Sequence, residues 1–137
     1  KGELVPEIPL IQGNGKLKAF YPNGTPSAVI DFVDGLQHGE VIRYHPNGKI
    51  AAKNKQVYDE THGESIEFYA DGKIRSTCQY ENDNRHGLYK EFNSKGILIE
   101  EGNYYDDRRH GEHRYYDDNG KLKQTRYYYY GLLLDVK

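Results

Sequence analysis

Four histidines recur along the chain at a constant interval, and histidine is a common metal ligand and proton-transfer group. His38, His62, His86 and His110 follow one another every twenty-four positions, and each is followed by a glycine. Histidines that bind one zinc ion lie within about 4 Å of each other. Successive two-stranded units of a sheet are about 10 Å apart, so the four imidazoles cannot share an ion. We therefore interpret them as structural residues that bond the backbone at turns.

Three other features could carry chemistry. His110 and His113 are three positions apart, which on a strand places their side chains on opposite faces. The segment "DDNGK" at 117–121 resembles part of a calcium loop, but the twelfth position, where such loops need glutamate, is Tyr128. Cys78, the single cysteine, has no local partner that would activate a thiolate. The sequence therefore predicts no catalytic residue, no metal site and no cofactor site.

Composition and charge narrow the function classes. The 137 residues fit one domain, and the net charge of −2 arises from interspersed charges of both signs, which does not favour nucleic acid or an anionic membrane. Fourteen tyrosines and four phenylalanines occur without tryptophan or methionine, and tyrosine can face a core while its hydroxyl stays in water. This favours a thin structure. The chain starts at Lys1, so we leave the compartment open between cytoplasmic and exported with the signal segment removed.

A repeat with the period of these histidines organises the whole chain. A second glycine series shares the period of the His-Gly pairs, and an aromatic residue stands four positions before each of these glycines. Asn14 and Gly15 take the place of a first His-Gly pair. The positions to which we assign structural roles are His38, Gly39, His62, Gly63, His86, Gly87, His110 and Gly111, together with Gly24, Gly48, Gly72, Gly96 and Gly120.

Each unit predicts two strands. The first runs from the His-Gly pair to the aromatic residue, as in 39–44, and the second is longer, as in 49–58. Glycine-containing turns such as "HPNGK" separate them, and a polar turn leads to the next His-Gly pair. The sequence thus predicts an all-β fold, an elongated single-layer antiparallel β-meander built of tandem two-stranded hairpin repeats. We expect a lead or linker at 1–13, about five repeat units at 14–131, and a tail or cap at 132–137.

The even period predicts that equivalent residues keep the same face of the sheet in every unit. Even-numbered positions hold most apolar residues, such as Phe32, Cys78 and Tyr104, whereas odd-numbered positions hold charges such as Lys53 and Glu67. We therefore expect an apolar even face and a polar odd face on a sheet about 50 Å long.

The segments "GESIEFYADGKI" and "GEVIRYHPNGKI", each preceded by histidine and lying one repeat period apart, resemble the bacterial variant of the MORN repeat. The resemblance covers roughly Asn14 to Gly131. It implies a β-meander that serves as a binding or assembly module; related chains are often labelled antitoxins of toxin–antitoxin systems, and eukaryotic relatives are sometimes associated with membranes or lipids. Leu88 departs from the pattern, as does "FNSKG". The segment "YYDDNGKLK" also resembles a choline-binding repeat, but the tryptophans that would cage the ligand are missing.

The residue types at odd-numbered positions differ between the first repeat units and the last ones. The first three units carry charges and valines there, whereas the last two carry tyrosines. Tyrosine and arginine often dominate the energetics of protein interfaces. We therefore expect a protein-binding patch, for a partner of unknown identity or for a second copy in a homodimer, formed by Tyr89, Tyr105, Tyr115, Tyr127, Tyr129 and Arg109.

Other interpretations of these tyrosines and of the chain stay open. Leu132, Leu133 and Leu134 could fold back on the tyrosines and form an end cap, or the rings could serve as a glycan-binding platform. For the whole chain we favour a non-enzymatic scaffold for protein–protein interaction, with antitoxin-like binding of one protein. The alternatives are a lipid or membrane-surface module, which the interspersed charges disfavour, and an enzyme, for which we find no asymmetric polar cluster.

Overall fold

The computed structural model describes residues 10–137, and these form one antiparallel sheet without helices. No helix in this part of the chain is therefore long and apolar enough to span a membrane. The strands are β1 (Gly15–Phe20), β2 (Pro26–Val33), β3 (Leu36–Tyr44), β4 (Ile50–Val57), β5 (Glu60–Thr61), β6 (Gly63–Phe68), β7 (Ile74–Glu81), β8 (Asn84–Phe92), β9 (Leu98–Tyr105), β10 (Arg108–Tyr116), β11 (Leu122–Tyr129) and β12 (Leu132–Val136).

The strands follow one another across the sheet in the order of the chain. Only the two-residue strand β5 lies off this path, and it pairs with the end of β4 beside β6. The predicted all-β, single-layer meander of hairpin repeats is confirmed. The predicted lead at 1–13 falls mostly outside the described residues, although Ile11 and Asn14 already form a β-bridge around a first turn.

Two-residue turns form one edge of the sheet. Both residues of each turn have positive φ, for example 51° and 81° at Asp34 and Gly35, or 47° and 66° at Asp106 and Asp107. This is the type I′ geometry, whose twist matches that of the flanking strands and which favours Gly, Asn and Asp. The turns are Gln12-Gly13, Asp34-Gly35, Tyr58-Asp59, Asn82-Asp83, Asp106-Asp107 and Tyr130-Gly131.

Hydrogen bonds tie these turns to one another along the edge. The carboxylate of Asp83 accepts a hydrogen bond from the backbone N–H of Thr61 at 2.7 Å, and that of Asp107 accepts one from Arg85 at 2.8 Å. The N–H of Asp83 in turn donates to the Thr61 carbonyl. Each turn therefore joins its repeat to the preceding one.

Five-residue loops form the opposite edge, at 21–25, 45–49, 69–73, 93–97 and 117–121, each with a glycine of positive φ in its fourth position. Side chains link successive loops here too. The Tyr69 hydroxyl donates to the Phe92 carbonyl at 2.6 Å, and His45 Nε2 bonds the Phe68 carbonyl at 2.9 Å. At the base of each loop from the second onward an aromatic residue pairs across the hairpin with an aliphatic one, as Phe92 does with Leu98.

The His-Gly pairs lie inside strands or beside bulges, and not at the turns where the sequence placed them. Strand β3 begins at Leu36, ahead of His38 and Gly39, because the turn is completed earlier, at Asp34 and Gly35. The glycine adopts a φ of 118° where the register of β2 and β3 shifts, which an L-residue rarely tolerates. The His38 ring accepts a hydrogen bond from a backbone N–H at 3.2 Å.

The strand register corrects the predicted face pattern. A two-residue turn pairs an odd-numbered residue with an even-numbered one, as for Val41 with Ile30 and for Cys78 with Tyr89. A five-residue loop with the bulge beside it gives the same result, as for Val41 with Asn54. Odd positions of one strand therefore share a face with even positions of the next. Equivalent residues do keep their face from repeat to repeat, but the division into an apolar even face and a polar odd face is wrong.

We call the face that carries Val41 the front face, and the opposite one, which carries Ile42, the back face. Six side chains of the described residues are buried, and all but Thr125 lie on the front face: Ala28, Val41, Cys78, Tyr104 and His113. The back face instead alternates charges across strands, as in Lys90, Glu101 and Arg114. The few buried side chains that form the core of this single-layer sheet therefore lie almost entirely on its front face.

The last residues extend the sheet. Strand β12 pairs antiparallel with β11, and Leu132 and Leu134 are each 66% exposed. They therefore do not fold back over the tyrosines, which differs from the end-cap interpretation of the sequence.

Candidate protein-binding surface

Large aromatic and cationic side chains cover the front face of β8 to β11. The register places them in neighbouring rows, because each residue of a strand lies beside its cross-strand partner and shares its face. We call this set the tyrosine–arginine patch; its members are Arg85, Tyr89, Tyr104, Arg109, Tyr115, Arg126 and Tyr128.

Tyr104 is the centre of the patch and is only 6% exposed. The rings of Tyr89 and His113 each meet it edge to face with centroids 5.6 Å apart, and Tyr128 meets His113 in the same way at 5.4 Å. Edge-to-face contacts of this kind are favourable beyond the area they bury. The aromatic rings are therefore fixed by one another.

The arginines lie against these rings. The guanidinium carbon of Arg85 is 4.3 Å from the centre of the Tyr104 ring, and that of Arg126 is 4.7 Å from the Tyr115 ring. Arg109 lies 5.8 Å from each of two rings, Tyr104 and Tyr128. Cation–π attraction at these distances holds each guanidinium over a tyrosine while its edge stays available for hydrogen bonds.

His113 supports the patch from below. Its side chain is fully buried, and Nε2 donates a hydrogen bond to the Asn103 carbonyl at 2.7 Å, whereas Nδ1 has no partner among the described residues. Burial lowers the pKa of His113 below its ordinary value of 6.5, so the ring is neutral at pH 7. Gly102 lies opposite, and a Cβ there would be 2.3 Å from the imidazole. The ring can occupy this place only because residue 102 has no side chain.

Two carboxylates border the patch. Glu91 and Glu100 are direct cross-strand partners on the front face, an arrangement that is unfavourable for like charges. Burial, together with the neighbouring carboxylate of Glu100, raises the pKa of Glu91. A groove of about 710 Å³ lies next to them, and Tyr115 and Arg126 line its other side.

The predicted binding residues separate into two groups in the structure. Tyr89, Tyr115 and Arg109 lie together in the tyrosine–arginine patch. The strand register places the other three on the back face, outside this patch: Tyr105, Tyr127 and Tyr129.

Tyr105 and Tyr129 belong to a second aromatic group, which we call the turn-edge cluster; its members are His86, Tyr105, His110, Tyr129 and Tyr130. The His110 and Tyr130 rings are 4.4 Å apart, and His86 and Tyr105 are 4.8 Å apart. His110 Nδ1 also accepts a hydrogen bond from the Tyr130 backbone N–H at 3.2 Å. His86 and His110 thus pack against aromatic residues in or beside the two-residue turns at this edge of the sheet.

Sequence reasoning missed Tyr104, Tyr128, Arg85, Arg126 and His113, because it assigned even and odd positions to separate faces. The available signal was the length of the turns. A loop of two residues pairs positions whose numbers add to an odd sum, which brings Tyr104 beside Arg109.

No group of three or more histidine, cysteine or carboxylate side chains within 10–137 is arranged to hold a metal ion. Burial raises the pKa of the Cys78 thiol to about 11, so this cysteine is protonated at pH 7. The segment "DDNGK" forms a hairpin turn, in which the Asp117 carboxylate accepts hydrogen bonds from the N–H groups of Asn119 and Lys121.

Comparison with protein families gave a match to the MORN repeat variant. The matched segments are residues 37–54, 61–82, 85–106 and 109–128, and together they cover more than half of the chain. Each contains most of two successive long strands and the five-residue loop between them, in agreement with the repeat period of the sequence. A comparison with curated proteins gave no match.

Proposed function

Since the chain belongs to the MORN repeat variant family of repeat scaffolds, we propose that it is a non-enzymatic scaffold that binds a protein through the tyrosine–arginine patch. The observation that carries this proposal is the confinement of the patch to one face of one half of an otherwise regular array. In a scaffold of similar repeats, the residues that differ from their equivalents in the other repeats are the ones that can give it a specific function.

For Tyr89 and Arg109 the equivalent positions two repeats earlier hold smaller, uncharged side chains, whereas Tyr104 is preceded by the equivalent Tyr80. Tyr89 occupies the position of Val41 and Ser65, and Arg109 occupies that of Thr61. The earlier repeats form the same strands with these smaller residues, so the Tyr89 ring and the Arg109 guanidinium are not needed to build a repeat.

Their chemistry suits a protein interface. Tyrosine and arginine provide large contact areas and hydrogen-bonding groups, and they are enriched among the residues that dominate binding energy. The ring contacts around Tyr104 and the stacked arginines restrict side-chain motion before binding, which lowers the entropic cost of association. For a bound protein other than a second copy of this chain, the resemblance to antitoxin-labelled chains further supports an inhibitory, antitoxin-like action on that protein.

A capture experiment tests this function. We would immobilise the wild-type chain, the patch variant Tyr89→Ser/Arg109→Ser/Tyr115→Ser, and a matched control from outside the patch, Tyr105→Ser/Arg114→Ser/Tyr127→Ser. Proteins retained from a lysate of the source organism would be quantified by mass spectrometry, and each candidate would be purified and titrated calorimetrically.

We expect one protein to bind the wild type and the control with similar Kd and to bind the patch variant at least about 100-fold more weakly, as for loss of several dominant contacts. Where the partner is a protein other than this chain, an antitoxin-like action predicts that it loses its own activity at a one-to-one ratio. Equal binding by wild type and a folded patch variant would contradict the proposal. Co-sedimentation with anionic vesicles would instead support a lipid-binding module.

A further inference from the structure

The front face of β8 and β9 carries negative charge that the chain itself does not balance. Glu91 and Glu100 oppose each other across the two strands. Within residues 10–137, neither carboxylate lies within 4.0 Å of a basic nitrogen. On the back face of the same strands Lys90 instead opposes Glu101. Charge complementarity is therefore present on one face of this hairpin and missing on the other.

The front face of β10 and β11 carries an excess of positive charge. Arg109 and Arg126 have no carboxylate of the described residues within 4.0 Å, and the Arg126 Nε donates to the Gln124 side chain instead. Arg85, in contrast, is neutralised by Asp107 at 3.1 Å. The surface thus has an acidic half on two strands and a basic half on the next two, with two unpaired charges in each.

Such a surface is complementary to itself. A twofold axis that runs parallel to the strands, above the boundary between β9 and β10, places β8 and β9 of one copy over β10 and β11 of the other. The acidic half then faces the basic half twice, because every contact of a symmetric interface is repeated. A surface with an excess of one sign would have no such arrangement.

We propose that the protein bound by the tyrosine–arginine patch is a second copy of this chain, in a symmetric front-to-front dimer. This inference rests on the proposed function and names its partner. The Arg126 guanidinium reaches along β11 to Tyr115 and Gln124, which lie in the row of Glu91 and Glu100. In the dimer this guanidinium of each copy therefore lies over the two carboxylates of its partner, and the tyrosines fill the space between the two sheets.

The size of the surface sets the strength of the dimer. Four strands about 4.8 Å apart and three rows of side chains along each strand cover about 20 Å by 20 Å. That footprint is about 400 Å² per copy and about 800 Å² in total, which is below the standard size of specific interfaces and in the range of weak, transient ones, so we expect a Kd in the micromolar range. Because ion pairs contribute, the Kd should increase with ionic strength.

Charge reversal with mixing tests the dimer. One variant, Glu91→Arg/Glu100→Arg, leaves only basic unpaired charges on this surface. The other, Arg109→Glu/Arg126→Glu, leaves only acidic ones, because Arg85 stays paired with Asp107. Sedimentation equilibrium would measure the Kd of the wild type, of each variant alone, and of an equimolar mixture. Circular dichroism and thermal unfolding would confirm that both variants fold. The exchange Lys90→Glu/Glu101→Lys provides a matched control on the back face.

We expect each reversed variant to dimerise at least about 100-fold more weakly than wild type, since juxtaposed like charges disfavour association. The mixture should recover a heterodimer with a Kd within about tenfold of wild type, and the back-face control should match wild type. A wild-type monomer at about 1 mM would overturn the inference, as would a dimer insensitive to both reversals.

The failure of the dimer and the failure of the proposed function are distinguishable by experiment. If the wild type is monomeric and captures another protein through the patch, the scaffold function stands and only the identity of the partner is wrong. If a dimer and a captured protein both ignore patch substitutions, both proposals fail.

Discussion

Replacement of Gly102 by alanine tests the geometry of the front face most directly. A Cβ at this position would lie 2.3 Å from Cγ and Nδ1 of His113, far inside van der Waals contact. The imidazole cannot move away easily, since it is fully buried and Nε2 bonds the Asn103 carbonyl. Alanine brings no backbone penalty of its own, because Gly102 does not adopt positive φ. The expected effect is therefore steric.

The magnitude follows from two contributions. Overpacking of a well-filled site costs about 1–3 kcal/mol. If the ring shifts and the hydrogen bond from His113 is lost, a buried unsatisfied donor adds about 1–3 kcal/mol. We therefore expect Gly102→Ala to lower the free energy of unfolding by about 2–6 kcal/mol, which corresponds to a fall in Tm of about 7–21 °C for a chain of this size.

Urea denaturation followed by circular dichroism would measure this loss. A repeat-matched control is available, because the pair that corresponds to Gly102 and His113 two repeats earlier in the chain is Asn54 and Ser65. The double variant Gly102→Asn/His113→Ser copies that pair and should be more stable than the sum of its single variants predicts. Two results would refute the steric argument. One is a loss below about 0.5 kcal/mol for Gly102→Ala, and the other is a double variant Gly102→Asn/His113→Ser whose loss of stability equals the sum of the losses of its two single variants.

Three further predictions concern pH, turns and glycines. The pKa of His113 is lower in the folded than in the unfolded chain, where it is near 6.5, so the unfolded state binds more protons and stability falls as pH drops below 6.5; urea titrations should show a shallower fall for His113→Gln, and equal slopes would contradict the assignment. Asp83→Ala removes the acceptor of a turn hydrogen bond and leaves a residue at φ 68°, which should cost about 1–3 kcal/mol by thermal unfolding, whereas Asp83→Asn should cost less than half as much. Gly39→Ala should be more destabilising than Gly63→Ala by about 1–3 kcal/mol, because only at Gly39 does a Cβ overlap a neighbouring side chain, at 2.8 Å; equal losses in urea would show that positive φ alone determines the effect.

Local chemistry explains why most of the fold could be predicted from the sequence. The glycines of the five-residue loops and the acidic residues of the two-residue turns are selected by backbone conformation within a few residues, so they recur visibly with the period of the repeat. The even period also predicts correctly that Tyr80, Tyr104 and Tyr128 share one face.

The register between strands could not be derived from periodicity in the same way. It depends on whether a loop has an even or odd number of residues and on where a bulge inserts an extra one. A bulge opposite Glu91 and Phe92, for example, changes the pairing by one residue between Glu100 and Leu98. One such step reverses the face of a whole strand, which is why Arg126 and His113 were separated in the sequence interpretation although they are direct neighbours.

Gly102 also shows where the sequence did contain evidence for the candidate surface. Its equivalents in other repeats are Ile30, Asn54, Cys78 and Arg126, so this position does not need glycine to form a strand. It is also unlike the repeat glycines, which adopt positive φ and are selected by conformation. A glycine without a conformational role makes room for neighbouring side chains, and here the rings of Tyr89 and His113 flank it on the two adjacent strands. The front face can therefore hold these large rings only because the residue between them has no side chain. Substitutions that enlarge residue 102 should reduce both binding by the tyrosine–arginine patch and the stability of the fold.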